Sequence, residues 1–149
     1  NQEIERAIAE RNRIFHGEAH EGTIDLLRRT ALTVMRQLEQ FDPRLVGPVL
    51  AGSATAHSAI DLHLFSDAPE AIGGALESLG LPGRAIQHRL RTRRDDSGLF
   101  PGYRFRSGDF EFCAIVFRER GRGNAPLSAV DGKPMRRATP KDVEALLQR

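Results

Sequence analysis

The sequence predicts an α+β fold, in which a short mixed β-sheet has helices packed on it. Three observations lead to this fold class. Apolar residues recur at helical spacing through the first 41 residues. Polar and apolar residues alternate from Ala59 to Phe65, as in a strand with one face buried. Three further strand-like runs then lie between residues 85 and 117 with no helical pattern among them.

Length and composition indicate one domain with one core. The chain has 149 residues, of which 40% are apolar and 28% are charged, as in an ordinary globular domain. We expect a single domain over residues 1–149. Its parts are a helical region at 1–41, a sheet core at 44–117, and a loop with a C-terminal helix at 118–149.

Two amphipathic helices are expected at the N-terminus. Thr23 is a candidate cap for the second helix, and Asp42-Pro43 is a candidate stop, since a residue before proline avoids the α region. The two apolar stripes are Ile4, Ala7, Ile8, Ile14 and Phe15, and then Ile24, Leu27, Ala31, Val34, Met35 and Leu38.

Two strands should follow. Residues 45–51, LVGPVLA, predict a strand at an edge or with a bulge, because proline offers no N–H to a central ladder. The run Ala59–Phe65 predicts a half-buried strand, with Asp61 and His63 on its polar face.

Turn and cap residues place the later elements. Asp67 as N-cap, with Pro69 in the first turn and Gly80 past the end, predicts a helix. Strands are expected at residues 85–93, 103–106 and 109–117, with Ser107-Gly108 joining the last two in a hairpin. Residues 118–138 read as a long loop, and Thr139-Pro140 opens a short terminal helix.

The single cysteine and the charge balance suggest where the protein resides. Cys113 has no partner for an internal disulfide, which favours a reducing compartment, and no apolar run approaches a membrane span. We therefore expect a cytoplasmic protein with no membrane partner. The net charge of +2 is too small to indicate nucleic-acid binding by itself.

Acidic residues on two predicted strands suggest a metal site. Asp61 and Glu111 are the candidate catalytic and metal-binding carboxylates, because Mg²⁺ prefers hard oxygen ligands held against substrate phosphates. With His63 as a third ligand, the mixture of imidazole and oxygen suits Mn²⁺ better. Gly52 and Ser53 are small enough for their backbone amides to approach a phosphate.

These residues resemble a known family. Gly52-Ser53 followed by Ser58-Ala59-Ile60-Asp61-Leu62 is similar to the motif of the nucleotidyltransferase superfamily, whose fold is that of DNA polymerase beta. The resemblance implies that Gly52, Ser53 and Ser58 bind substrate, and that Glu111 supplies the later carboxylate. It covers residues 45–117, and Ala59 stands where the family has its first metal-binding Asp.

The resemblance implies a function and leaves an alternative open. The implied activity is metal-dependent transfer of a nucleoside monophosphate from a nucleotide triphosphate to a hydroxyl acceptor. The alternative, favoured by Ala59, is an inactive protein of the same fold that acts as a binding, regulatory or dimeric module. The segments LVGPVLAGSATAHSAIDLHLFSD and APLSAVDGKPMRRA also resemble short bacterial proteins, some labelled muramate–alanine ligases, but the chain has no GxxxxGK[ST] loop.

Arginines are the remaining signal. Arg89, Arg91 and Arg93 fall on one strand face, and pairing with the strand that carries Arg104 and Arg106 would make a basic surface for nucleotide or RNA phosphates. Lys133, Arg136 and Arg137 lie in a loop that could close over an anion. An apolar stripe on Ile4, Ile8 and Phe15 would serve as a homodimer surface.

Overall fold

The N-terminal region is one long helix. The structure, a computed structural model, describes residues 2–92 and 97–148. Helix α1 spans Gln2–Gln37 without a break, so the prediction of two helices is wrong. Thr23 does not cap a second helix, because its hydroxyl donates to Ala19 O one turn back, at 3.0 Å. A 3₁₀ turn at Glu39–Phe41 follows, before the predicted stop at Asp42-Pro43.

Five strands form one mixed sheet, which confirms the α+β class. The strands are β1 (Arg44–Val46), β2 (Ile60–Phe65), β3 (Arg84–Arg91), β4 (Ser97–Ser107) and β5 (Phe110–Phe117). Their order is β1-β2-β5-β4-β3, and only β2 and β5 are parallel. The predicted hairpin is present as β4 and β5, which are joined at Ser107-Gly108.

The main core lies on one face of this sheet. Helices α1 and α3 (Pro69–Ser78) pack over it together with α4 (Pro140–Leu147). Ile60, Leu62 and Leu64 of β2 point into this core and are fully buried. The opposite face of the sheet is called the open face below.

The segment LVGPVLA is a short strand followed by a short helix, so the prediction of a strand through residues 45–51 is wrong. Strand β1 ends at Val46 and helix α2 (Gly47–Ala51) begins there. Gly47 has φ +74°, which breaks the strand, and Pro48 suits a first helical turn because it has no N–H to lose. Arg28 of α1 then donates to the carbonyls of Val49 and Leu50 at 3.1 and 2.9 Å.

Strand β2 is covered on both faces, which corrects the prediction of a half-buried strand. His63, on the open face, is only 2% exposed. A second, smaller apolar cluster lies there, made of Phe65, Cys113, Ile115 and Phe117. The loop after β5 lies against this cluster, because Arg137 contacts the rings of Phe65 and Phe117.

Local signals for the last two helices are largely confirmed. Gly80 follows α3 with φ +74°, but the N-cap is Ala68, since Asp67 Oδ1 instead accepts from Glu119 N at 3.1 Å. Thr139 caps α4 in a reciprocal capping box with Asp142, at 3.1 and 2.9 Å. None of the helices that the structure describes is both long and apolar enough to cross a bilayer.

Candidate functional site

The open face carries polar side chains near the start of β2. Asp61 lies opposite Cys113 of parallel β5, and Cys113 lies opposite Arg104 of β4. Arg104 in turn lies opposite Arg84 of β3, and Glu111 sits two residues before Cys113 on the same face. Four strands therefore bring Asp61, Glu111, Arg104 and Arg84 to one end of the open face.

Asp61 is a carboxylate held in a partly desolvated position. A side chain added at Gly47 would meet Asp61 Oδ2 at 2.7 Å, so the carboxylate packs directly against the start of α2. No hydrogen bond or ion pair joins it to another residue within the described ranges. Burial raises the pKa of Asp61 from 3.8 to about 6, against the opposing effect of the positive charges of His88 and Arg104.

Glu111 is paired with a cation. Its Oε1 accepts from Arg104 Nη1 at 2.7 Å, and both side chains are about two-fifths exposed. This bond raises the pKa of Arg104, so the guanidinium stays charged. Glu111 therefore shares the face of Asp61, but Arg104 balances its charge.

His63 lies on the same face but is engaged by another arginine. Its Nδ1 accepts from Arg137 Nε at 3.0 Å, and its ring lies 4.6 Å from that of Phe117. Burial, followed by the charges of Arg137 and His88, lowers the pKa of His63 from 6.5 to about 3. A metal ligand needs a free lone pair and no adjacent cation, so this geometry does not suit His63 for the predicted metal role.

The predicted metal ligands do not form a cluster. Across residues 2–92 and 97–148, no three His, Cys, Asp or Glu side chains approach closely enough to hold an ion. Two of the predicted ligands instead contact arginines: Glu111 pairs with Arg104, and His63 accepts a hydrogen bond from Arg137. Of the three predicted ligands, only Asp61 makes no hydrogen bond or ion pair with an arginine in the described residues.

The Gly-Ser segment is arranged differently from a phosphate-binding loop. Gly52 and Ser53 follow the C-terminus of α2, and the N–H groups of both donate to Pro48 O at 2.9 and 3.0 Å. Helix C-termini carry partial negative charge, which disfavours an anion. Ser58 stabilises the next turn, because its hydroxyl accepts from Thr55 N at 2.9 Å. The backbone amides expected to meet phosphate are thus already used within the chain.

The predicted basic residues lie on different surfaces. Arg89 and Arg91 point to the face of β3 opposite to that of Arg104 and Arg106, since Arg89 is in register with Leu99. The predicted single surface is therefore wrong, and Arg93 lies outside the described residues. Lys133 is exposed in a loop anchored to β3 by the bridge between Leu127 and Arg91.

Arg84 and Arg104 are the residues of this site that the motif did not indicate. They are cross-strand neighbours and line an open groove of about 450 Å³ with Pro82, Phe105, Arg106 and Glu111. The density of arginines in the sequence was the available signal, but pairing register decides which of them share a face.

Comparison with known proteins does not assign this chain to a family. No family model, curated protein or solved structure shows significant similarity to this chain.

Proposed function

We propose that the chain is a binding module with a nucleotidyltransferase-like fold, which binds phosphate-bearing ligands such as nucleotide triphosphates and lacks metal-dependent catalysis. The proposed site is the basic groove at the Asp61 end of the open face. Arg84, Arg104 and Arg106 supply the positive charge there.

One observation carries this proposal: Arg84 of β3 and Arg104 of β4 lie directly opposite each other on adjacent strands, and Glu111 pairs with Arg104 alone. Like charges directly opposite on a sheet repel each other. Arg104 is paired with Glu111, while Arg84 has no ion pair within the described part of the chain. A phosphate would relieve the repulsion and accept hydrogen bonds from both guanidinium groups.

The arginine contacts of the predicted metal ligands argue against metal-dependent transfer. A metal centre uses carboxylates to bind the ions and offset their charge. Arg104 already balances Glu111, Ala59 offers no ligand, and Asp61 is left as the single carboxylate without an arginine partner in the described residues. Positive charge therefore stands where a catalytic site would concentrate negative charge.

Calorimetric titration with ATP in the presence of EDTA tests the proposal. We expect binding without added metal, weakened by about tenfold in Arg84→Ala, because one charge-assisted contact is lost. Arg84 is the better target, since removing Arg104 would also release Glu111. The matched control is Arg29→Ala, which removes an exposed arginine of α1 that has no ion pair within residues 2–92 and 97–148.

The same titration separates the two functions that the sequence leaves open. Failure of the wild-type chain to bind ATP, GTP, CTP or UTP would contradict the binding proposal. Binding that requires Mg²⁺ or Mn²⁺ and is lost in the Asp61→Ala, Glu111→Ala double variant would instead support metal-dependent transfer.

One observation favours that second candidate, a divergent nucleotidyltransferase. Asp61 and Glu111 lie on the same face of adjacent parallel strands. Burial raises the pKa of their neighbour Cys113, and the charges of both acids raise it further. An unpaired carboxylate with a raised pKa is a common feature of functional sites.

A further inference from the structure

A large cleft lies at the other end of the sheet. Its volume is about 1190 Å³, and it opens beyond the residues where parallel strands β2 and β5 end, Phe65 and Phe117. Phe65 lies four positions after Asp61 on β2, a distance of about 13 Å at strand spacing. The cleft is thus separate from the basic groove that lines the Asp61 end.

Three contacts hold the walls of this cleft in place. Asp67 Oδ1, before α3, accepts from Glu119 N across the mouth at 3.1 Å. Arg137 Nη1 donates to Arg122 O behind the wall at 3.1 Å. Leu127 N donates to Arg91 O at 2.9 Å and ties the end of the loop to β3. Because these contacts already fix the walls, a ligand that binds here would cost little conformational entropy.

The lining combines apolar surface with a few polar groups, as small-molecule sites do. Leu99, which is 55% exposed, and the half-buried Phe100 are neighbours on β4, so their side chains line the cleft from opposite faces of the sheet. Each contributes apolar surface to the lining. Pro101, Val116, Phe117 and Pro126 complete the apolar part. Asn124 offers an amide that can donate and accept hydrogen bonds.

The charge of the lining is positive. Arg118 and Arg120 both line the cleft and are exposed, and neither pairs with an acid anywhere in residues 2–92 or 97–148. Among the lining residues that the structure describes, Asp67 is the one acid, and one of its oxygens is already used by Glu119 N.

A third guanidinium, that of Arg137, lies behind the wall. It is stacked between Phe65 and Phe117 with centroid distances of 5.0 and 4.8 Å. Its hydrogen bonds go to His63 and to backbone carbonyls, not to a carboxylate. Its charge adds to the positive potential on this side of the cleft.

We propose that this cleft is a second ligand site, which binds an organic phosphate monoester with a flat apolar body. The flat body would lie on the ring of Phe100, and Arg118 and Arg120 would hold the phosphate. Guanidinium groups form paired, charge-assisted hydrogen bonds with phosphate oxygens, and aromatic faces stack on flat rings. The site does not depend on the function proposed for the Asp61 end.

Amide chemical-shift mapping with AMP as the probe tests this site directly. We expect AMP to shift the backbone amide signals of Thr92, Phe100, Gly121 and Asn124. Adenosine, which has the ring without the charge, and inorganic phosphate, which has the charge without the ring, should each bind at least about tenfold more weakly. Shifts confined to Arg84, Arg104 and Arg106, or no shifts at millimolar AMP, would overturn the proposal.

Paired variants test the two parts of the ligand. Arg118→Ala with Arg120→Ala should weaken AMP binding by about tenfold or more, and Phe100→Ala should weaken it with the arginines intact. The charge-matched control is Arg6→Ala with Arg29→Ala, two exposed arginines of α1 for which we expect unchanged binding. Unchanged AMP binding in the Arg118, Arg120 variant, or adenosine binding as tight as AMP binding, would overturn the assignment.

Discussion

Asp61 and His63 lie two residues apart on β2, and burial favours the uncharged form of both. The pKa of the acid rises to about 6 and that of the base falls to about 3. Asp61 could be selected from the sequence as a lone carboxylate among apolar residues. Arg104, which pairs with Glu111, lies seven residues from it in the β4–β5 hairpin. Arg137, which donates to His63, lies 74 residues further along the chain, and no local pattern indicates that contact.

The raised pKa of Asp61 predicts how stability changes with pH. The folded state keeps the Asp61 proton up to about pH 6, while the unfolded chain releases it near 3.8. Rising pH between these values therefore favours unfolding, and the lost stability is not recovered above pH 6. Asp61→Asn should raise the free energy of unfolding near neutral pH, by at most about 3 kcal/mol, and have no such effect below about pH 4.

Urea denaturation at several pH values checks this prediction. The opposite contribution of His63 is common to both proteins and cancels in the difference between variant and wild type. The control is Asp25→Asn, which changes an exposed carboxylate of α1. A variant less stable than wild type at neutral pH would mean that ionised Asp61 is stabilised by a partner.

At the scale of elements, two adjacent glycines in α3 should respond differently to substitution by alanine. A side chain at Gly74 would meet no atom within 4 Å, so Gly74→Ala should stabilise the protein by about 0.5–1 kcal/mol through reduced chain entropy. A side chain at Gly73 would lie 3.0 Å from Tyr103 Oη, whose hydroxyl donates to Pro69 O. Gly73→Ala should therefore lose most or all of that gain.

Thermal and urea unfolding of the two variants give the comparison. Each variant serves as the matched control for the other, because both add one methyl group to the same helix. Equal stabilisation by both would show that Tyr103 does not restrict the space above Gly73.

The segment LVGPVLA shows why some elements could not be predicted locally. Its apolar run suits a strand, but the chain turns into α2 at Gly47, and Arg28 of α1 then satisfies the carbonyls of Val49 and Leu50. A partner 21 residues earlier in the chain supplies those hydrogen bonds. The terminal helix differs, because Thr139, Pro140 and Asp142 form its cap within a single turn.

At the scale of the whole molecule, α1 extends well beyond the core. The first buried side chain described in this helix is that of Ile24, about 30 Å from the start of the helix, and the described side chains at 2–8 and 17–22 are all exposed. Ile4 and Ile8 are 58% and 52% exposed on one side of it, while the side chain of Phe15 lies outside the described part. A single helix without tertiary packing is only marginally stable in water.

We therefore expect the chain to form a homodimer through α1, as the apolar stripe predicts. Light scattering coupled to size exclusion should give the mass of two chains, and Ile4→Glu with Ile8→Glu should reduce it to one. Val130→Glu, at an apolar loop residue that is 95% exposed, should leave the dimer intact. A wild-type protein that stays monomeric at every concentration would contradict this expectation.

The sequence alone determined the features that depend on neighbouring residues. These are the α+β class, the alternation that places Ile60, Leu62 and Leu64 in the core, the hairpin at Ser107-Gly108 and the capped C-terminal helix. Their physical basis is short in range, since side-chain periodicity, turn geometry and capping involve residues a few positions apart.

Only the tertiary structure decided which charges meet. Sheet order and register place Arg84 opposite Arg104, hold Arg104 against Glu111, and put Arg89 on the other face. The same packing buries His63 beneath Arg137. The contacts of Arg84 and His63 join residues distant in sequence, and a shift of one residue in register would reverse every face, so spacing along the chain does not specify which charges meet.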